Sequence, residues 1–457
     1  MSRFGAGSRM KILLTVHQFF PQYAAGTEVL TYSVARELMK RGHMVHVLTG
    51  HPGRADLREK DRLDEYDFEG IHVYRFHHAY TPMAGQTSMI EIGYNNRLAA
   101  AYFARVLEMF KPDVVHFFHL NRLGTGLIEH AVRTGIPCFM TPTDFWTICP
   151  TGQLLSGNVS LCSGPSAHAG NCVKCFAQRT QGKGIRIIAE RLPTAGADLL
   201  ARLTQNGVLP SYPQREEVMA IASRLGINIA RLNQLNGLIV PNGFMRELLI
   251  RHGVSPCLII KSAFGIDVTS SEGSKRRSIP RHPLRVGFIG TLAPYKGCLV
   301  LIDAFKALPH GQAVLKIYGG MKDFPEYSGE LKRLADNNDA IEFCGTFHNS
   351  KIGEVLADLD VLVVPSLWYE NTPLVVYSAQ AARCPVVASD FPGFSEVIRD
   401  QVDGLLFEAG NSTELAKKLS RLINEPDLAG RLSVNYQQPK STALYVDEIL
   451  NIWEGRK

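Results

Sequence analysis

Chemistry-capable residues gather in four places along the chain. The stretch SLWYENTPLVVYSAQAARCPVVASD (residues 366–390) reads as a strand end, a tight turn carrying Glu370, a helix and a second strand. Thr372 is a natural N-cap, and Pro373 fits the first helical turn, where its missing N–H costs nothing. The free N–H groups from Leu374 onward then suit an anion such as a phosphate, because a helix N-terminus carries partial positive charge. A carboxylate just before such a site is not there to bind phosphate. Glu370 is explained as an acceptor for neutral hydroxyls beside it, and phosphate plus hydroxyls describes a nucleotide sugar. A solvated turn acid is the plainer alternative.

The second place is ICPTGQLLSGNVSLCSGPSAHAGNCVKC (148–175), which crowds Cys149, Cys162, Cys172 and Cys175 into one loop-rich insertion. A Cys-x-x-Cys pair plus two more thiolates is the composition of a structural zinc site, and zinc would order a long, apolar-poor loop. An iron–sulfur cluster is a lower-ranked occupant of the same four ligands. The irregular spacing of the first three leaves four reduced thiols as the alternative. Third, His17 and His119 each follow a strand-like run, KILLTV (11–16) and DVVHFF (113–118), and so face a ligand by position, whereas His116 within its strand packs. Fourth, AQRTQGKGIRIIAERLPTAGADLLARL (177–203) mixes five basic residues with Ile185, Ile187, Ile188, Leu192 and Leu199. Such a basic amphipathic stretch suits a membrane surface and a lipid-linked acceptor, or packing on its own domain.

The elements that must position these groups repeat one grammar. KILLTV is a short buried strand, EVLTYSVARELMKRG (28–42) a helix with Leu30, Val34 and Leu38 on one face and Gly42 as its stop, and HMVHVLTG (43–50) the next strand. DVVHFF and PCFMTP (137–142) add two more. In the second half LRVGFIG, AVLKIYGG, AIEFCGTF, DVLVVPS and CPVVASD are strands with helices between them. Such alternation predicts parallel sheets covered by helices. The expected architecture is α/β, with two doubly wound Rossmann-like domains facing across a cleft at the carboxyl ends of their strands, where ligands of such sheets bind. Boundaries follow: 1–267 with a Cys-rich insertion at about 145–215, a polar linker at 268–283, 284–437, and a C-terminal helix at 438–457 that packs back on the first domain.

Bulk composition excludes several classes. A chain of 457 residues is too long for one core. Its 45% hydrophobic and 20% charged content is that of a globular enzyme, and no apolar run reaches the ~18 residues of a membrane helix. The net charge of +6 favours anionic ligands mildly, and the lack of like-charge blocks argues against nucleic acid. The N-terminus lacks a signal-peptide cleavage pattern, so the expected location is cytoplasmic, with peripheral contact at the inner face of the membrane.

A resemblance sharpens these expectations. VGFIGTLAPYKGCLVLIDAF (286–305), VLVVPSLWYENTPLVVYSAQAARCPVVASDFPGFSEVI (361–398) and DGLLFEAGN (403–411) resemble the donor-binding domain of glycosyltransferase family 4. HQFFPQYAAGTEVLTYSVARELMKRGHMVHVLTG (17–50) is similar to that family's opening histidine, Gly-rich loop, acid and strand. The resemblance implies a GT-B fold and a retaining transfer from a nucleoside-diphosphate sugar to a glycan or lipid-linked acceptor in surface or secreted polysaccharide biosynthesis, with no cofactor in catalysis. It implies that Lys296 meets the donor pyrophosphate and that Glu370 is the first of the family's two acids. Gly26, Gly290, Thr291, Asn371, Thr372 and Leu374 then line the donor site. By position His119 is a catalytic candidate that touches the acceptor or donor sugar, with His17 and Asp144 expected on the acceptor side. Three departures stand out. Ser378 replaces the acid that clamps the ribose, Arg383 replaces a small residue in the helix's last turn, and Thr143 replaces the histidine of a His-Asp pair. They raise a rival reading, a degenerate non-catalytic GT-B protein that binds nucleotide or a partner enzyme. An epimerase of the same fold has no recognisable constellation here.

Overall fold

A computed structural model describes residues 9–157, 160–268, 282–336, 338–371, 373–425 and 427–455. The backbone divides into two compact units, Met1–Ala263 with Ala443–Lys457, and Phe264–Thr442. Apart from residues 268, 282 and 283, the expected linker lies outside the described residues.

The first unit is built on eight strands: β1 Lys11–Val16, β2 Met44–Pro52, β3 Leu63–Phe68, β4 Ile71–His78, β5 Val114–Phe117, β6 Cys138–Met140, β7 Gly237–Val240 and β8 Ile259–Lys261. Their order is β3-β4-β2-β1-β5-β6-β7-β8. Every pairing is parallel except the β3–β4 hairpin. In β1 only Lys11 is exposed, as expected of a strand covered on both faces. The helix Gly26–Lys40 buries Leu30, Val34 and Leu38 against this sheet. Gly42, at φ 87°, supplies the left-handed turn that ends it. The insertion folds as helices Gly170–Thr180, Lys183–Arg191 and Thr194–Gln205, followed by Arg215–Leu232. The last helix, Thr442–Trp453, lays Tyr445, Ile449 and Trp453 into this unit's core. Trp453 donates to the buried His116 (3.2 Å).

The second unit is a wholly parallel six-stranded sheet: β9 Leu284–Ile289, β10 Ala313–Tyr318, β11 Ile341–Gly345, β12 Val361–Val364, β13 Val386–Ser389 and β14 Gly404–Phe407. Its order, β11-β10-β9-β12-β13-β14, reverses direction between β9 and β12. Apolar clusters fill both faces, one around Leu301, Phe305 and Leu331, the other around Leu356, Val376 and Phe394. Crossovers that run to opposite sides leave a crevice at the reversal, and such sheets bind ligands there. In the first unit the same reversal falls between β1 and β5.

Candidate functional site

In the second unit the reversal brings together the loops after β9 and β12. The first loop carries the turn Pro294–Lys296 and then Gly297 at φ 71°. A β-carbon on Gly297 would stand 1.8 Å from the carbonyl oxygen of Pro365, so no other residue lets the two loops touch. Leu367 N–H donates to Tyr295 O (2.8 Å) across them. The result is an ion pair: Lys296 Nζ lies 2.6 Å from Glu370 Oε1. Glu370 is 5% exposed, and the same oxygen accepts from Ser366 Oγ (2.8 Å) and Trp368 Nε1 (2.8 Å). The Lys296 ammonium also stands 5.1 Å from the centre of the Trp368 ring. Neither Ser366 nor Trp368 carried a signal in the sequence beyond closeness to Glu370. Their role comes from the turn folding back on itself.

The helix after Glu370 runs Leu374–Ala381, and Pro373 occupies the N-cap rather than the first turn, its ψ of 128° being extended. Thr372 lies outside the described residues. Asn371 is buried, and Leu374 half-buried, beside the carboxylate. Gly290 closes β9 by donating to Tyr318 O (3.0 Å), and Thr291 beyond it is exposed. Ser378 Oγ donates to Leu374 O (3.2 Å), one turn back in its own helix. Arg383 adopts φ 55°, the left-handed turn for which glycine is the usual residue, and its guanidinium lies over the Tyr436 ring.

At the first unit's reversal, His17 follows β1 and His119 follows β5, and their rings stand 4.1 Å apart, centre to centre. His119 Nε2 lies 3.0 Å from Asp144 Oδ1, off the line that a hydrogen bond prefers. Its Nδ1 accepts from Asn121 N–H (3.2 Å). Asp144 is fixed by Trp146 N–H (2.7 Å). Thr143, where the resemblance implied a histidine, accepts from Thr27 Oγ1 (2.9 Å). A His-Asp pair therefore exists here, with the histidine supplied from the end of β5. Gly26 is not in a loop but opens the helix Gly26–Lys40, and the space where a β-carbon would stand is empty. Sequence reasoning singled out no role for Glu28. It is 1% exposed, with Oε1 3.8 Å from His17 Nε2. Burial raises its pKa, and burial followed by the charge of His119 lowers that of His17. Its clues were its place after the Gly-rich loop of the resemblance and its position on the apolar face of a helix.

The four cysteines share a neighbourhood without forming a ligand shell. Cys149 Sγ contacts Thr151 Oγ1 (3.3 Å), Cys162 Sγ donates to Gly164 O (3.5 Å) and Cys175 Sγ to Leu155 O (3.8 Å). Burial, then the neighbouring thiols, raises the pKa of Cys172. Among the described residues no three His, Cys, Asp or Glu side chains are arranged to hold a metal ion. Beside the thiols Arg224 is 3% exposed, and its guanidinium donates to the carbonyls of Ile148 (3.1 Å) and Trp146.

Comparison with known proteins bears on the family and the fold. Residues 25–171 match the glycosyl transferase 4-like domain, and residues 283–425 match glycosyl transferases group 1. The chain is 25% identical to a D-inositol 3-phosphate glycosyltransferase of Thermomonospora curvata over 61% of its own length and 62% of the relative's. It is 31% identical to a phosphatidyl-myo-inositol mannosyltransferase of Mycobacterium leprae over 36% of its length and 45% of the relative's. The chain thus spans less than two thirds of these relatives. Its fold matches that of Anabaena HepE, determined with UDP and glucose, at a TM-score of 0.64 and 16% identity, covering 97% and 99% of the two chains. Sucrose-phosphate synthase of Thermosynechococcus elongatus matches at a TM-score of 0.61 and 16% identity, over 98% and 96%. With both domain models in order and two parallel-sheet units of this topology, the chain belongs to the family 4-like glycosyltransferases of GT-B fold.

Proposed function

We propose that the protein transfers a sugar from a nucleoside-diphosphate donor to a hydroxyl acceptor with retention of configuration, in the synthesis of a surface or secreted glycan. The observation that carries this reading is the Lys296–Glu370 pair at the strand-order reversal of the second unit. On binding, the ammonium would turn from Glu370 to the leaving diphosphate, joined by the N–H groups from Leu374 onward, which start the helix without a side-chain cap. Glu370, released from Lys296 but still held by Ser366 and Trp368, would accept from donor-sugar hydroxyls. Preorganised charge aimed at a leaving group is commonly the largest single contribution to catalysis. Lys296 would supply the counter-charge, and the retained face would need no protein base. His119, oriented near Asp144, and His17 would meet the sugar or acceptor from the first unit's own reversal.

The neighbours supply the probe: HepE was determined with UDP and with UDP-glucose, so UDP sugars are the first donors to test. A lipid-linked acceptor is supported by the insertion, where Ile185, Ile187, Ile188 and Leu199 are 44–66% exposed among Arg186, Arg191 and Arg202. Among the described residues no helix is long and apolar enough to cross a membrane.

Ser378 favours the rival, a binder without activity, because its hydroxyl is turned to its own helix. Calorimetric titration of UDP tests donor binding. Wild type should bind modestly, and Ser378→Glu should bind about 10- to 100-fold more tightly, the worth of one charged hydrogen bond. Failure of both forms to bind UDP, GDP or ADP would overturn the donor reading.

A further inference from the structure

The first unit holds a cavity of about 260 Å³ at the carboxyl ends of β1, β2 and β4 and the loop after β5. His17, Gln18, His78, Tyr80, Asn121 and Arg122 contribute its polar wall, and no acidic side chain lines it. Arg122 is held there by its backbone. It adopts φ 69°, a left-handed conformation that its β-carbon disfavours. Its N–H donates to Gly93 O (2.9 Å), and its carbonyl accepts from Asn96 Nδ2 (3.1 Å). The following Gly124, at φ 85°, lies so close to Asn96 that a β-carbon would stand 2.6 Å from that backbone nitrogen. The loop is thus built to keep the guanidinium at the cavity.

Among the described residues no carboxylate forms an ion pair with Arg122; its guanidinium donates to the Tyr80 hydroxyl and lies 3.9 Å from the centre of that ring. A half-buried cation without a counter-ion is costly unless a ligand provides one. His17 Nδ1 is also buried without a hydrogen-bond partner. His78, 8% exposed, has its pKa lowered to about 4 by burial and then by the charge of Arg122. His17 is lowered as well, so both imidazoles are neutral at neutral pH, and each keeps one N–H to donate.

We infer that this cavity binds an anionic group of the acceptor sugar, a phosphate or a carboxylate, with the Arg122 guanidinium as counter-charge and His17, His78 and Asn121 as neutral partners. The word acceptor rests on the transferase reading; the anion subsite rests on the cavity alone. Its volume is below that of a typical drug-sized site and suits one charged sugar rather than an extended chain.

The test is calorimetric titration of the full chain with glucose 6-phosphate, with glucuronate and with glucose as the neutral control. At least one anionic sugar should bind about tenfold or more tightly than glucose, since a charge-assisted contact carries that much. Preference for the phosphate or for the carboxylate identifies the acceptor's charged group. Arg122→Gln, with melting behaviour unchanged, should abolish the preference, and Arg122→Lys should keep part of it. Equal binding of all three sugars, no binding of either anion, or an unchanged preference in folded Arg122→Gln would overturn the inference. Titration of UDP into the same wild-type protein reads the donor proposal separately, so either can fail without the other.

Discussion

Glu370 Oε1 accepts from a lysine, a serine and an indole at once, so any ligand hydroxyl must compete with three charged or neutral donors. That arrangement sets a carboxylate in place before substrate arrives, which limits reorganisation during the reaction. Glu370→Gln and Lys296→Ala should each lower turnover by at least about 10², measured as sugar transfer at saturating donor. Near-normal rates in both variants would remove the site assignment. Glu370 was singled out in the sequence by the helix-start signal that follows it, and the helix indeed begins close by, at Leu374 with Pro373 as its cap. His17 and His119 could be read because each ends an apolar run. Arg122 and Glu28 could not. The charge of Arg122 acquires meaning only from the left-handed loop that points it at His78, and Glu28 looks like an ordinary first-turn acid until its carboxylate is found buried near His17.

At the scale of elements, the contact between the last helix and β5 depends on pH. His116 Nδ1 accepts from Trp453 Nε1, so Nε2 carries the proton and donates to Thr141 Oγ1 (2.9 Å). Burial lowers the His116 pKa to about 3. Between that value and the ordinary histidine value near 6.5 the unfolded chain binds more protons than the folded one, so stability rises with pH across this window. Acidification from pH 7 to pH 5 should therefore lower the denaturation midpoint. His17, His46 and His78, lowered in the same direction, contribute to the slope. His116→Phe should flatten the slope; an unchanged slope would show that the Trp453 contact does not carry it. The insertion yields a second test. Four neighbouring thiols, two of them one turn apart on the helix Gly170–Thr180, have the composition of a structural zinc site although no three described side chains stand as its ligand shell; we propose that zinc would draw them together, and a zinc tetrathiolate would compensate the buried Arg224 charge. Protein purified without chelator should carry close to one zinc per chain, lost in Cys172→Ser/Cys175→Ser. Neither zinc nor iron by metal analysis would leave protonated thiols on their present hydrogen-bond partners. β1, β5, β12 and β13 were legible because each is an almost continuous apolar run. The β3–β4 hairpin was not, since LDEYDF is charged and half-exposed and IHVYRFHH is broken by Arg75 and three histidines; β7, β8 and β14 went unread although none is shorter than β6.

At the scale of the molecule, each unit places a pair of loops that carry candidate site residues where its strand order reverses. The second unit offers an ammonium, a carboxylate and a helix start, and the first offers two imidazoles, two carboxylates and a guanidinium. This division of chemistry fits a leaving nucleotide on one unit and an acceptor on the other. The most direct test of that account is nuclear magnetic resonance of anomerically labelled sugar nucleotides, UDP-glucose first, with the enzyme present and the sugar signal followed from the first turnover. Under that account, release of UDP and a first-formed product with the donor's α configuration are expected, with Glu370→Gln slower by about 10². A first-formed β product, or no nucleotide released from any UDP, GDP or ADP sugar, would contradict it.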